Sequence, residues 1–367
     1  MNAKKIIAMG LVASAALLSS CSDNPTKATL SSSSSTALVF AFTTDYKTGE
    51  LRWLSGDTIP SANTLSFNQD TKIVAQGSAL YVLGRYGADN LARLDVTALP
   101  ATSSVKYQVA LGSGANPEDV VIVGDSVGWL ALSGRNYLLR FNPATGATKD
   151  SIDITKFSVN LSSSPEPISM KLVGDTLCVA MQRLDGWNVA KPGLLALFNA
   201  KTGVLLDTLT LLGSNPQGMV LDGHKLYVAN EGDVSGALVL DSTRSVDVVD
   251  LTKKTVSRLL TSAALAGAPS NIALDAANGR LYVGSYQAYG SMPVAIVKES
   301  DGTVINKAIT GTVDAFGGLV FDADQSKLYI GDRGIIGGGL KVWENDSLHV
   351  FVQNSVLPMY SVAVVHP

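Results

Sequence analysis

Charge is scarce in this chain. Asp, Glu, Lys and Arg make up 16% of its 367 residues, where ordinary globular domains carry about 25%. The 28 Lys and Arg are outnumbered by 31 Asp and Glu, so the basic excess that neutralises phosphates is missing and nucleic acid is not an expected partner. Histidine is nearly absent: His224, His349 and His366 are the 3 copies, and none repeats or pairs at the spacing of a metal ligand. No segment sustains an apolar period of 3.6 residues over the length of a helix, so helices should be almost missing. With 46% hydrophobic residues, however, the chain has nothing of the composition of disorder. It folds and buries a great deal of apolar surface.

Long apolar runs are also lacking. Lys4 and Lys5 precede an uncharged stretch from Ile6 to Leu18, the length of a signal-peptide core and too short to span a bilayer about 30 Å thick. The stretch ends Leu18-Ser19-Ser20-Cys21, which resembles the lipobox of bacterial lipoproteins. The resemblance implies an exported protein, cleaved after residue 20, acylated on Cys21 and tethered to a membrane through its N-terminal lipid. Ser22 after that cysteine, with Asp23 one place later, resembles outer-membrane sorting. Residues 21–35 end in five serines, Ser31 to Ser35, a composition that makes a flexible tether. Cleavage removes two lysines and no acid, leaving a mature net charge of about −5. The only other cysteine, Cys178 in Thr-Leu-Cys-Val-Ala, reads as a buried strand position, and a lipidated Cys21 leaves it no partner for an internal disulfide.

What is abundant is repetition. Ala79-Leu-Tyr-Val-Leu-Gly84, Trp129-Leu-Ala-Leu-Ser-Gly134, Thr176-Leu-Cys-Val-Ala-Met181, Lys225-Leu-Tyr-Val-Ala-Asn230, Arg280-Leu-Tyr-Val-Gly-Ser285 and Lys327-Leu-Tyr-Ile-Gly-Asp332 align, with leucines at 80, 130, 177, 226, 281 and 328. A fixed period of this size marks a repeat architecture. Each copy opens with a Pro-led segment, as at Pro117, Pro167, Pro216 and Pro269, and then has a polar hairpin turn such as Gly174-Asp175 or Asp222-Gly223. The Leu-Tyr-Val strand and two more alternating strands follow. Four short antiparallel strands per repeat make a propeller blade. Six blades are predicted over 71–110, 116–154, 166–211, 215–260, 268–310 and 314–353. Segments 37–44, 50–54 and 64–67 supply three strands of a seventh, completed by the C-terminal segment 358–365. The predicted fold is therefore all-β, a single seven-bladed β-propeller over 36–367 with four antiparallel strands per blade. A C-terminal strand joining the N-terminal blade closes the ring and removes its open edges.

The Leu-Tyr-Val-Ala-Asn strand followed by Ser245-Val-Asp-Val-Val-Asp-Leu251 resembles the YVTN-type repeat β-propeller family, most sharply over 216–256 and 269–304. The resemblance implies the fold; propellers of this kind include enzymes, binding proteins and structural surface proteins, so it leaves the activity open.

Signatures of catalysis are thin. Gly124-Asp-Ser126-Val-Gly128 matches the nucleophile-elbow pattern, but no helix follows to lift the serine, and a hairpin turn is the simpler reading. Asp322-Ala-Asp324 lacks the glycine and closing glutamate of a calcium loop, and Gly337-Gly-Gly339 follows no strand-to-helix pattern that would cradle a phosphate. No catalytic residue, metal or cofactor is assigned.

One pattern points to a site. In a propeller the loops between the second and third strands of every blade gather on one face, where loop variation builds binding sites. Five places past each aligned leucine stand Arg85, Arg135, Gln182, Glu231, Tyr286 and Arg333, with Arg183 beside the third. Four of the chain's ten arginines share this loop origin. Tyr86, Tyr137, Trp187 and Tyr289 lie close by, and the longest loops are 182–193 and 231–245. Arginine and aromatic rings dominate binding hot spots, so the candidate ligand-binding set is Arg85, Tyr86, Arg135, Tyr137, Arg183, Trp187, Glu231, Tyr286, Tyr289 and Arg333. The competing reading is that arginines in these loops pair with Asp or Glu of the next blade and staple the face. The expected protein is a monomeric, lipid-anchored, non-catalytic scaffold of the bacterial envelope that binds a small nutrient, a glycan or a protein partner through one loop face. The alternative is a lactonase-like hydrolase or an oxidoreductase with a metal or cofactor in the central channel.

Overall fold

The structure, a computed structural model, describes residues 37–55, 58–99, 104–160, 163–186, 188–233, 237–353 and 357–367. Seven four-stranded antiparallel sheets are arranged as the blades of a ring. Blade one holds strands Thr71–Gln76, Ala79–Gly84, Asn90–Asp95 and Val105–Ala110, numbered from the channel outward. Blades two to six begin at Pro117, Pro167, Pro216, Ala268 and Leu319 and repeat the plan. In blade seven the order from the outside inward is Thr64–Phe67, Gly49–Trp53, Leu38–Thr44 and Met359–Val365. The C-terminal strand thus becomes the innermost strand of the N-terminal blade, paired from Leu38 with Val365 to Thr43 with Met359. The innermost strands adjoin one another around the whole ring.

Local chemistry explains the repeat. The second strand of each blade is the most apolar because it is covered on both faces; Ala79–Gly84 is buried at every position. The fourth strand alternates, as in Leu205–Thr210, because it has one face in solvent. Crossing from the outer strand of one blade to the inner strand of the next needs a sharp reversal. Asn116, Glu166 and Asn215, each just before the opening proline, supply it with φ of 48°, 52° and 54°. Asparagine adopts that left-handed region readily, whereas glutamate enters it at a cost.

The core is not a single mass but one apolar cluster per junction between neighbouring blades. Trp129, Leu138, Met170, Leu177 and Phe198 fill the junction of blades two and three, and Phe40, Leu51, Ile73, Leu80 and Ala363 that of blades seven and one. Buried side chains of this size each contribute about 1.5–3 kcal/mol, so every junction depends on having both of its blades. Cys178 is fully buried, and burial pushes its thiol up to about 12. Gly124 to Gly128 is a hairpin, with strands Pro117–Gly124 and Val127–Leu132 on either side. Helix among the described residues is confined to Ser262–Leu265 and short 3-10 turns, and none is long and apolar enough to cross a membrane.

Candidate functional site

Loops joining second to third strands, and the crossovers between blades, emerge on one face of the ring, here called the upper face. Strand Leu38–Thr44 runs from the lower face to the upper.

Arg85 sits where blades seven, one and two meet. Its Nη2 donates to Asp70 Oδ1 at 2.7 Å and to the Tyr360 hydroxyl at 2.6 Å, and Nη1 donates to Glu118 Oε2 at 2.9 Å. Burial works against its charge, but Glu118, Tyr360 and Asp70 outweigh that and raise its pKa. Arg333 holds the matching position between blades six and seven. Its Nε donates to Asp314 Oδ2 at 2.6 Å, and its guanidinium lies 3.8 Å from the Phe316 ring centroid and 5.2 Å from that of Tyr289. Tyr360 packs edge-on against Tyr46 at 5.5 Å and beside Phe316 at 5.9 Å. Arg85, Tyr360, Tyr46, Phe316, Arg333 and Tyr289 therefore form one connected belt across blades one, seven, six and five. A fully buried pair braces it from beneath: Lys341 Nζ donates to Asp332 Oδ2 at 2.7 Å, while Asp332 accepts the backbone N–H groups of Val313, Asp314 and Gly334.

Arg135 and Arg183 do different work. Arg135 donates to the carbonyls of Gly112, Ser113, Gly114 and Gly134. The approach is so close that a Cβ on Gly134 would lie 1.9 Å from the Gly114 carbonyl oxygen, which only glycine permits. Arg183 donates Nε to the Phe157 carbonyl at 3.1 Å, and burial lowers its pKa. Of the four arginines in the candidate set, Arg85 and Arg333 are thus paired with carboxylates, while Arg135 and Arg183 are held by backbone carbonyls. Tyr137 opens strand Tyr137–Phe141 and packs against the core of blades one and two. Trp187 and Cys21 lie outside the described residues.

Glu231 and Tyr286 come together on the far side of the face. With Arg244, Leu238, Leu240 and Tyr289 they line a cavity of about 590 Å³ between blades four and five. Glu231 is 9% exposed, and burial raises its carboxyl to about 7 against hydrogen bonds from Ser270 and Gln217 and the charge of Arg244. Glu166, at the crossover into blade three, is also raised to about 7 by burial, although it accepts the Leu184 N–H at 2.8 Å. Large apolar side chains are exposed around the same face: Tyr86 at 78%, Tyr289 at 83%, Ile335 at 94% and Ile336 at 86%.

On the lower face the structure assembles a group the sequence does not advertise. Asp322, Asp324 and His366 place ligand atoms within 4.8 Å of one another. His366 Nε2 lies 3.2 Å from Asp322 Oδ1 and its Nδ1 3.7 Å from Asp324 Oδ2. Because each ring nitrogen faces a different carboxylate, the geometry is that of an imidazole bridging two acids, and it ties the closing strand to blade six.

Tyr46, Tyr360, Phe316, Asp314 and Arg244 are site residues that counting from the repeat leucines misses. Tyr46 and Tyr360 belong to blade seven, whose strands carry no Leu-Tyr-Val signature to count from. Phe316 and Asp314 stand in a crossover rather than a hairpin loop.

No family model matches the chain, and no curated protein matches it. Solved structures do. A candidate 6-phosphogluconolactonase from Bacteroides fragilis superposes with a TM-score of 0.62 at 14% identity, covering 91% of this chain and 99% of that one. A protein from Lactobacillus plantarum has a TM-score of 0.62 at 15% identity over 89% and 98%. Kuenenia stuttgartiensis hydrazine synthase gives 0.58 at 14% over 83% and 94%. At such identities the likeness establishes the fold, a β-propeller, and carries no chemistry with it.

Proposed function

We propose that this protein is a non-catalytic binding scaffold of the bacterial envelope, lipid-anchored through Cys21, with the upper face of a YVTN-type propeller as its ligand surface. One observation carries the reading. The upper face exposes Tyr86, Tyr289, Ile335 and Ile336 next to a belt whose guanidinium groups are already neutralised. Stacking and apolar contact, not charge, are what such a surface offers. A glycan or a protein partner fits better than an anionic metabolite.

The test is a screen of the full chain against immobilised glycans and envelope extracts, with captured ligands then titrated against Tyr86→Ala and Tyr289→Ala. Each substitution should weaken binding by about 1 kcal/mol or more with melting unchanged, and Cys21→Ala should lose an acyl label. Binding indifferent to both tyrosines overturns the assignment of the face.

A hydrolase reading draws its support from Glu231 and Glu166, since a carboxyl titrating near 7 suits proton transfer at neutral pH. Turnover of lactone or ester substrates that is lost in Glu231→Gln would favour it.

A further inference from the structure

The cavity between blades four and five differs from the belt in one respect that bears on chemistry: among the described residues its buried carboxylate forms no ion pair. Arg244 lines the same cavity, yet its Nη1 donates to Asp241 Oδ2 at 2.9 Å and its Nη2 to the Asp233 carbonyl. Among the described residues, Glu231 receives hydrogen bonds from the neutral Ser270 hydroxyl and Gln217 amide, and the Arg244 charge acts on it without an ion pair. Tyr286, Leu238 and Leu240 line the same space of about 590 Å³, and the exposed Tyr289, whose ring also meets Arg333, stands at its rim. That volume takes a molecule of ten to twenty heavy atoms, by the ordinary range of about 300–1,000 Å³ for small-ligand sites.

We propose that this cavity binds a small organic ammonium ion, with Glu231 as counter-charge, Tyr286 and the leucines as walls and Tyr289 at the rim. A cation is attracted to the faces of aromatic rings. An ammonium also supplies the partner whose absence penalises the buried carboxylate, whereas an anion would meet Glu231 and, on the rim, Asp233. Arg244 opposes a second cation only weakly because Asp241 neutralises it. The groups around Glu231 are Arg244, itself paired with Asp241, from its own blade's loop, Asp233 near it, Gln217 from the inner strand, and Ser270, Tyr286 and Tyr289 from blade five. Glu231 must be ionised to hold an ammonium. Because burial moves that ionisation to about pH 7, affinity should rise as pH is raised through neutrality, and binding on the acid side should release a proton.

The inference goes beyond the reading of the upper face given above, and the two fail separately: that reading falls if the exposed tyrosines are irrelevant to the captured ligand, this one if Glu231 is irrelevant to an amine. The experiment is calorimetric titration of the full chain with 2-phenylethylammonium and its neutral isostere 2-phenylethanol. The amine should bind at least about tenfold more tightly than the alcohol at pH 8, and about tenfold more weakly at pH 6 than at pH 8, as the ionised fraction of a group titrating near 7 dictates. Glu231→Gln should abolish the preference for the amine. Should that variant fail to fold, Leu240→Trp, which fills the cavity from its partly exposed wall, should block the amine instead. Equal affinity for amine and alcohol, no binding of the amine, or an unaltered preference in Glu231→Gln or Leu240→Trp would overturn the proposal.

Discussion

Two sides of one face use the same loop positions for opposite ends. Around blades six, seven and one, the residues five places past the second-strand leucine are Arg85 and Arg333, and both are committed to carboxylates of neighbouring elements. Around blades four and five, the equivalent residues are Glu231 and Tyr286, and they border open space. The first arrangement stabilises the ring at the place where its two ends meet. The second keeps a buried carboxylate short of partners, which costs stability and provides a point of recognition. A shared structural phase therefore fixes where a side chain emerges, but its neighbours decide whether it holds the fold or faces a ligand.

The most drastic way to break the tied side is to remove the strand that it ties. Deletion of 356–367 takes away Met359, Val362, Ala363 and Val365, all buried, together with Tyr360 from the belt. It leaves strand Leu38–Thr44 as an unpaired edge. The truncated chain should be insoluble or should unfold at a greatly reduced temperature in a thermal melt. A fully stable truncation would contradict the closure.

A smaller effect is expected beneath the belt. Lys341→Ala removes the cation from Asp332, and both side chains are essentially without solvent contact. Breaking one partner of a buried pair costs about 3–5 kcal/mol, to be read from the midpoint of denaturant unfolding. A loss under about 1 kcal/mol would mean that the pair and the 311–318 crossover above it relax independently.

The fold was legible because it is written repeatedly. The Leu-Tyr-Val strands and opening prolines mark six blades, and blade one begins and ends at the expected residues 71 and 110. The seventh blade was legible from its leftover strands, 38–44, 49–53 and 64–67, and the Pro-led C-terminal segment. The site was legible only in its phase. The partners of Arg85 lie 15, 33 and 275 residues away, and nothing local in the sequence selects Asp70, Glu118 and Tyr360 from the other polar residues. Stapling by arginine was foreseeable as a class of interaction, whereas the pairs themselves depend on how blades pack. The cavity is less legible still, since it is the space left between Glu231, residues 237–244 and Tyr286, which belong to two blades.

The most direct test of the contrast is a side-by-side thermal melt of Arg85→Met and Glu231→Gln at pH 8. Arg85→Met leaves Glu118 and Asp70 without their guanidinium partner, although Asn116, Ser133 and Tyr360 still donate to them, and should lower the melting temperature, by the equivalent of about 3 kcal/mol. For Glu231 the sign runs the other way. Its carboxyl is raised from an ordinary 4.5 to about 7 in the folded protein, so the fold carries no charge penalty below about pH 4.5, loses stability as pH rises through 7, and bears the whole cost at pH 8. Glu231→Gln keeps the shape without the charge and should melt at or above the unsubstituted protein, with a smaller fall in stability between pH 5 and pH 8. A Glu231→Gln melt lowered as far as that of Arg85→Met would contradict the account, because Glu231 would then be one more tie in the ring.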